Sequence, residues 1–127
     1  MKGDVILIEE HHRAVARLLL PVLLPLFDKT LAKITITVAG ESGSGKSETA
    51  AAISETLSER GISSVILQQD DYFHLPPKSN HNKRLEDLGK VGPAEVNLGL
   101  LNSHIHKFRT GEGKIRKPLV DYENNRI

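Results

Sequence analysis

Eight consecutive residues, Gly40-Glu41-Ser42-Gly43-Ser44-Gly45-Lys46-Ser47, satisfy the pattern G-x-x-x-x-G-K-[ST] in full. The chemistry such a run can do is the capture of a polyphosphate. Glycines let the main chain close round phosphate oxygens with no Cβ in the way. Successive amides then converge at the positive end of the helix that follows. Lys46 sets a point charge on the β- and γ-phosphates, and the Ser47 hydroxyl is a hard oxygen of the kind that ligates Mg²⁺. Glu48 carries the run into the helix. Gly40, Glu41, Ser42, Gly43, Ser44, Gly45, Lys46, Ser47 and Glu48 are thus the expected nucleotide-binding residues, with ATP and Mg²⁺ the expected cofactors. A guanine-specific Asn-Lys-x-Asp is missing, since Asn82-Lys83-Arg84-Leu85 lacks the final acid.

A second constellation follows at Asp70-Asp71-Tyr72-Phe73-His74. Of two adjacent carboxylates, one can accept the proton of an attacking hydroxyl, and either can help to hold Mg²⁺. Tyr72 and Phe73 suit a flat or sugar-like acceptor, and His74 is a further contact. The bland alternative is a solvated acidic turn capped by buried aromatics.

The elements that must position these groups are legible in outline. Ile34–Val38 is β-branched and reads as a strand ahead of the glycine-rich loop. Lys46 to Arg60 reads as a helix, with Gly61 as its stop. Ser64–Gln68 reads as a second strand, delivering Asp70 and Asp71 at its carboxyl end, where open α/β sheets bind ligands. Strand, helix and strand in succession predict a βαβ unit. The expected fold is therefore α/β: a P-loop NTPase-type parallel sheet with flanking helices, cut short at the end of the chain.

Around this unit, Glu9 to about Leu20 reads as a helix with Ala14, Val15, Leu18 and Leu19 on one face, ended or kinked by Pro21. Leu75–Gly92 reads as a mobile polar surface segment. Asn97–Phe108 is a further helix, and Gly111-Glu112-Gly113 turns the chain into an extended Ile115–Tyr122. The expected division is a helical extension over residues 1–30 and a kinase-like domain over 31–127. His104 and His106, two apart on a helix, diverge and read as surface histidines; the adjacent His11 and His12 read no better as a metal pair.

Composition narrows the class. With 127 residues, 39% apolar and 26% charged, the chain has the make-up of a soluble globular protein. A formal net charge of +1 gives no basic field for nucleic acid, and there is no cysteine for disulfides or thiolate metal sites. The most apolar stretch, Leu18–Phe27, is broken by Pro21 and Pro25 and falls short of the about 20 residues a membrane span needs. The expectation is a cytoplasmic protein with no membrane or nucleic-acid partner; homo-oligomers stay open.

Together, Gly40–Ser47 and Val65-Ile66-Leu67-Gln68-Gln69-Asp70-Asp71-Tyr72-Phe73 resemble the uridine kinase and phosphoribulokinase family of P-loop kinases. The likeness runs from about Ile34 to the end, more faintly through Pro93, the Leu98–Phe108 helix and Lys117-Pro118-Leu119-Val120-Asp121-Tyr122. It implies transfer of the γ-phosphate of ATP to a hydroxyl of a nucleoside or sugar-like metabolite. It further implies Asp70 as catalytic base and metal partner beside Lys46 and Ser47. Asp71, Tyr72, Phe73, His74, Asp121 and Tyr122 are then the expected substrate contacts. Two segments depart from the family. Val91-Gly92-Pro93 stands where uridine kinases carry Asp-His-Pro, and Val120 and Asn125 replace a tyrosine and a histidine of the nucleoside-binding segment. The family's later metal-binding, lid and adenine-binding elements have no counterpart before Ile127, so the chain reads as the N-terminal part of such a kinase. The competing classes are a P-loop ATPase switch and a non-catalytic nucleotide-binding module.

Overall fold

Helix dominates the described residues, 1–29 and 32–127 of a computed structural model. Among them run four α-helices: α1 Glu10–Asp28, α2 Lys46–Ser58, α3 Pro77–Glu86 and α4 Leu98–Thr110. The boundary expected between residues 30 and 31 lies outside the described residues. The chain folds as two compact units, one of Val5–Ile66 and one of Met1–Asp4 with Leu67–Ile127. Among the described residues no helix is long and apolar enough to cross a membrane.

The expected parallel sheet is absent, which corrects the α/β reading. The β-structure of the described residues is confined to isolated bridges, Lys2 to Asp121, Phe73 to Val96 and Asp121 to Arg126. Residues 34–38 and 64–68 carry no strand. β-Branched composition records only a fit to a pleated, half-buried surface. A strand also needs a neighbour to pair its N–H and C=O groups, and neither segment has one. Several of their side chains stay open, Val65 at 63% exposure, although Val38 packs on the core of its unit.

In the Val5–Ile66 unit, α1 packs on α2. Glu9 opens α1, and its backbone N–H donates to His12 Nδ1 at 3.1 Å, relieving the bare helix start. The buried stripe of α1 is His12, Ala16 and Leu20, four residues apart. It is not the stripe expected from apolarity: Val15 and Leu18 are exposed. Ala16 and Ala52 explain the choice, because two small residues let the helices approach closely and bury Ile53 and Leu57 beside them. Nor does α1 end at Pro21. It runs through Pro21 and Pro25 to Asp28, and Leu23, Leu24 and Phe27 of its far half pack on the same core. That burial outweighs the hydrogen bonds the prolines forgo.

In the other unit, α4 begins where Asn97 caps it, its side chain accepting from the Leu100 N–H at 2.9 Å. It ends at Gly111, whose φ of 75° suits a residue without Cβ. Residues 75–92, expected as a mobile segment, instead hold α3. Pro77 at its first position has the φ a helix needs. Arg84 then ties it down with two hydrogen bonds to Glu95, at 2.6 and 3.0 Å.

Candidate functional site

The glycine-rich run forms a turn leading straight into α2. Gly43 and Gly45 adopt φ values of 77° and 76°, a conformation that L side chains rarely take. The Ser44 N–H donates to the Glu41 carbonyl at 3.2 Å, closing the turn. Packing within the loop is tight, since a Cβ on Gly40 would lie 2.4 Å from Ser44 Oγ. Gly45 is the N-cap of α2, and its carbonyl accepts from the Thr49 N–H at 2.8 Å, the first bond of the helix. The amides of Lys46, Ser47 and Glu48 have no carbonyl one turn back, as at any helix start. They carry the positive end of the helix dipole.

Lys46 Nζ donates to the Glu41 carbonyl at 3.1 Å, so the ammonium is folded back over its own loop. Residues 41–44 are exposed and 45–48 half-buried. The loop thus offers solvent a set of main-chain donors, one cation and the Ser47 hydroxyl. This is the equipment of an anion cup.

The acid pair occupies a short 3₁₀ turn, Gln69–Tyr72, in the second unit. Its two carboxylates have opposite surroundings. Asp70 is exposed, whereas Asp71 is completely buried. Lys117 Nζ donates to Asp71 Oδ2, the Val120 N–H donates to Oδ1 at 3.0 Å, and the amino group of Met1 lies at 3.4 Å. Burial pushes the Asp71 carboxyl up. The Lys117 and Val120 hydrogen bonds, with the charges of Lys117 and the Met1 amino group, bring it below the ordinary carboxylate value. Asp71 is therefore a charged structural hub that ties the turn to residues 117–120.

The aromatic and downstream residues divide in the same way. Tyr72 is buried and its hydroxyl meets His104 Nδ1 at 2.9 Å; burial, then the neighbouring Asp71 charge, raises the phenol's pKa. His104, expected on the surface, is buried by that pairing. Phe73 is half-buried, with the Arg84 guanidinium 5.7 Å from its ring centre. His74 is exposed, and its N–H donates to the Glu95 carbonyl at 2.9 Å. Asp121 is buried. It accepts from the Asn124 N–H and Nδ2, at 3.1 and 2.9 Å, and from Lys2 Nζ at 3.0 Å, and these contacts lower its carboxyl pKa. Tyr122 is 55% exposed. Of the expected acceptor contacts, Asp71, Tyr72 and Asp121 are engaged in holding the unit together, and His74 and Tyr122 face solvent.

Sequence reasoning did not give three participants the roles the structure assigns them. Lys117 and Glu95 are ordinary charged residues in sequence, and only their partners mark them. His12 is the third: it is buried, and a Cβ on Gly45 would meet its Nε2 at 2.9 Å. Glu9, His11 and His12 each bring one ligand atom within 4.8 Å of one another. His12 Nδ1, however, is occupied by the cap N–H of Glu9.

A glycine-rich turn that opens a helix with Lys-Ser has the sequence and geometry that define the P-loop class. The family model described as zeta toxin matches residues 25–92, more than half of the chain, and the chain belongs to this family of P-loop kinases. Uridine kinases are among its relatives, as the sequence resemblance implied. That of Geobacillus sp. strain WCH70 is 37% identical over 94 residues, covering 71% of this chain and 41% of the relative. That of Geobacillus kaustophilus is 37% identical over 93 residues, covering 70% and 40%. The bifunctional α-galactosidase/sucrose kinase of Mediterraneibacter gnavus is 27% identical over 105 residues, covering 75% of this chain and 11% of that protein. The chain thus spans about two fifths of the length of the uridine kinases it matches. No solved structure matches it at a significant level.

Proposed function

We propose that this chain carries the nucleotide-binding part of an ATP-dependent kinase that phosphorylates a hydroxyl of a nucleoside or sugar-like metabolite. The observation that carries the reading is the loop at the start of α2, with Gly43 and Gly45 in the left-handed region and Lys46 and Ser47 on the first turn. Membership of a P-loop kinase family and the kinase names of the relatives support it.

In this reading the loop amides and Lys46 bind the β- and γ-phosphates. The Ser47 hydroxyl has no hydrogen bond among the described residues, which suits an oxygen kept for Mg²⁺. Ser47 would help to hold Mg²⁺, which would supply charge neutralisation at the phosphate oxygens. Asp70 accepts the proton of the attacking hydroxyl. It is exposed and carries no hydrogen bond among the described residues, whereas both oxygens of Asp71 are engaged by neighbours. His74 and Tyr122, both open to solvent, are the expected contacts for the acceptor. An ATP-consuming kinase of metabolites fits a cytoplasmic location.

Calorimetry with MgATP tests the binding half, and a screen of nucleosides and sugars for ATP-dependent phosphorylation tests the transfer half. Saturable MgATP binding with a phosphorylated product supports the proposal. Binding coupled only to hydrolysis by water, driven by a protein partner, would replace it with a switch ATPase.

A further inference from the structure

On the helix ahead of the glycine-rich loop, the His12 side chain lies against that loop at Gly45. The Glu9 backbone N–H can only donate, so His12 Nδ1 must be its acceptor. That bond leaves the proton of a neutral imidazole on Nε2, and the tautomer is set by the helix cap. Nε2 is thereby a donor, and it has no acceptor among the described residues. His12 is 8% exposed, so this donor belongs to a side chain more than nine-tenths buried.

Its direction follows from Gly45. The nearest heavy atom to a Cβ built on Gly45 is His12 Nε2, at 2.9 Å, with Cδ2 next at 3.6 Å. The nitrogen edge of the ring is therefore turned to Gly45, the residue that caps α2. The ring is buried, yet Nε2 reaches solvent, since no sealed side-chain nitrogen or oxygen among the described residues lacks a hydrogen bond. A donor open to solvent beside a helix N-terminus is placed to meet an anion.

Resting on the nucleotide reading above, we propose that His12 is a phosphate-binding residue. It would bring a side-chain N–H from α1 to an oxygen of the triphosphate held by the loop. The α1–α2 core through Ala16, Leu20, Ala52, Ile53 and Leu57 fixes its place. Gly45 is needed as glycine twice over, for its φ of 76° and for the space the imidazole occupies.

Calorimetry with MgATP on the intact chain tests this, comparing wild type with His12→Phe, His12→Gln and Lys46→Ala. Phenylalanine fills the space without a donor, and the glutamine amide restores one near Nε2. His12→Phe should bind MgATP about tenfold more weakly, the effect of one hydrogen bond to a charged acceptor, with His12→Gln falling between it and wild type. If His12→Phe binds as wild type does, or if phenylalanine and glutamine weaken binding equally, His12 only packs and the assignment falls. Loss of binding in Lys46→Ala, with none in His12→Phe, overturns His12 alone. A wild type that binds no MgATP overturns the nucleotide reading as well.

Should His12→Phe not fold, nitrogen NMR of the wild-type imidazole decides. Inorganic tripolyphosphate should shift the His12 Nε2 resonance and leave Nδ1 as an unprotonated acceptor. An unmoved Nε2 resonance at saturation overturns the proposal.

Discussion

The two units hold their polar groups in opposite ways. In Val5–Ile66, the groups fit for chemistry are left open: loop amides, Lys46 on its own loop carbonyl, the Ser47 hydroxyl, and a histidine donor without an acceptor. In the unit of Met1–Asp4 and Leu67–Ile127, three groups of promise are already engaged, while Asp70, His74 and Tyr122 stay open. Asp71 is held by Lys117 and Val120, Asp121 by Lys2 and Asn124, and Tyr72 by His104. Residue type alone therefore does not mark a site. A carboxylate whose oxygens are all satisfied stabilises a fold, and one left open can take a proton or a metal.

The adjacent acids offer the sharpest way to break that contrast. Asp70→Asn should lower phosphoryl transfer by about 10²–10⁴-fold, the range for loss of a general base, while changing stability by less than about 0.5 kcal/mol. Steady-state kinetics in a form that phosphorylates its acceptor, alongside urea unfolding, measures both. Unchanged kcat would remove Asp70 from the chemistry. Asp71→Asn should do the reverse. Leaving Lys117 without its buried partner should cost about 2–4 kcal/mol in urea unfolding. A near-neutral result would mean that Asp71 is no hub.

Lys46→Ala probes the open unit. It should weaken MgATP binding about 10–100-fold by calorimetry, with little effect on the melting temperature of the free chain, because Nζ contacts only a loop carbonyl. A large loss of stability would show that the loop is braced by its lysine rather than waiting for a ligand.

The smallest expected effect is with acid. The Arg84 hydrogen bonds, followed by that of the Gly92 N–H, lower Glu95 from 4.5 to about 2. Asp71 and Asp121 are lowered as well. A carboxyl with a depressed folded pKa contributes stability above its unfolded value and loses it as the pH falls through the folded one. The Glu95 contribution should therefore be whole above about pH 4.5 and fade towards about pH 2. Amide exchange in α3 and α4 should rise over that window, and Glu95→Gln should flatten the rise.

Legibility in the sequence follows the range of the interaction. The start of α2 at Lys46, a helix from about residue 97 and the turn at Gly111 were readable, because each depends on backbone geometry within a few residues, although α2 ends at Ser58 rather than at the expected Arg60. The glycine-rich turn ahead of α2 was readable for the same reason. What failed was decided at long range. The strands expected at 34–38 and 64–68 needed neighbours to pair with, and β-branched side chains do not supply them. The α1 stripe was chosen by the closeness of Ala16 to Ala52 rather than by hydrophobicity.

By itself, the order of residues determined where a glycine-rich turn runs into a helix and which helices form around that place. A glycine's freedom, a cap's hydrogen bond and a lysine's charge all act on their immediate neighbours. The tertiary structure decided which polar groups are left to do anything. It buried Asp71 beside Lys117, turned His104 inward to Tyr72, and set His12 against Gly45. Those outcomes depend on partners that distance along the chain hides, since a buried charge or donor is tolerable only where another part of the fold meets it.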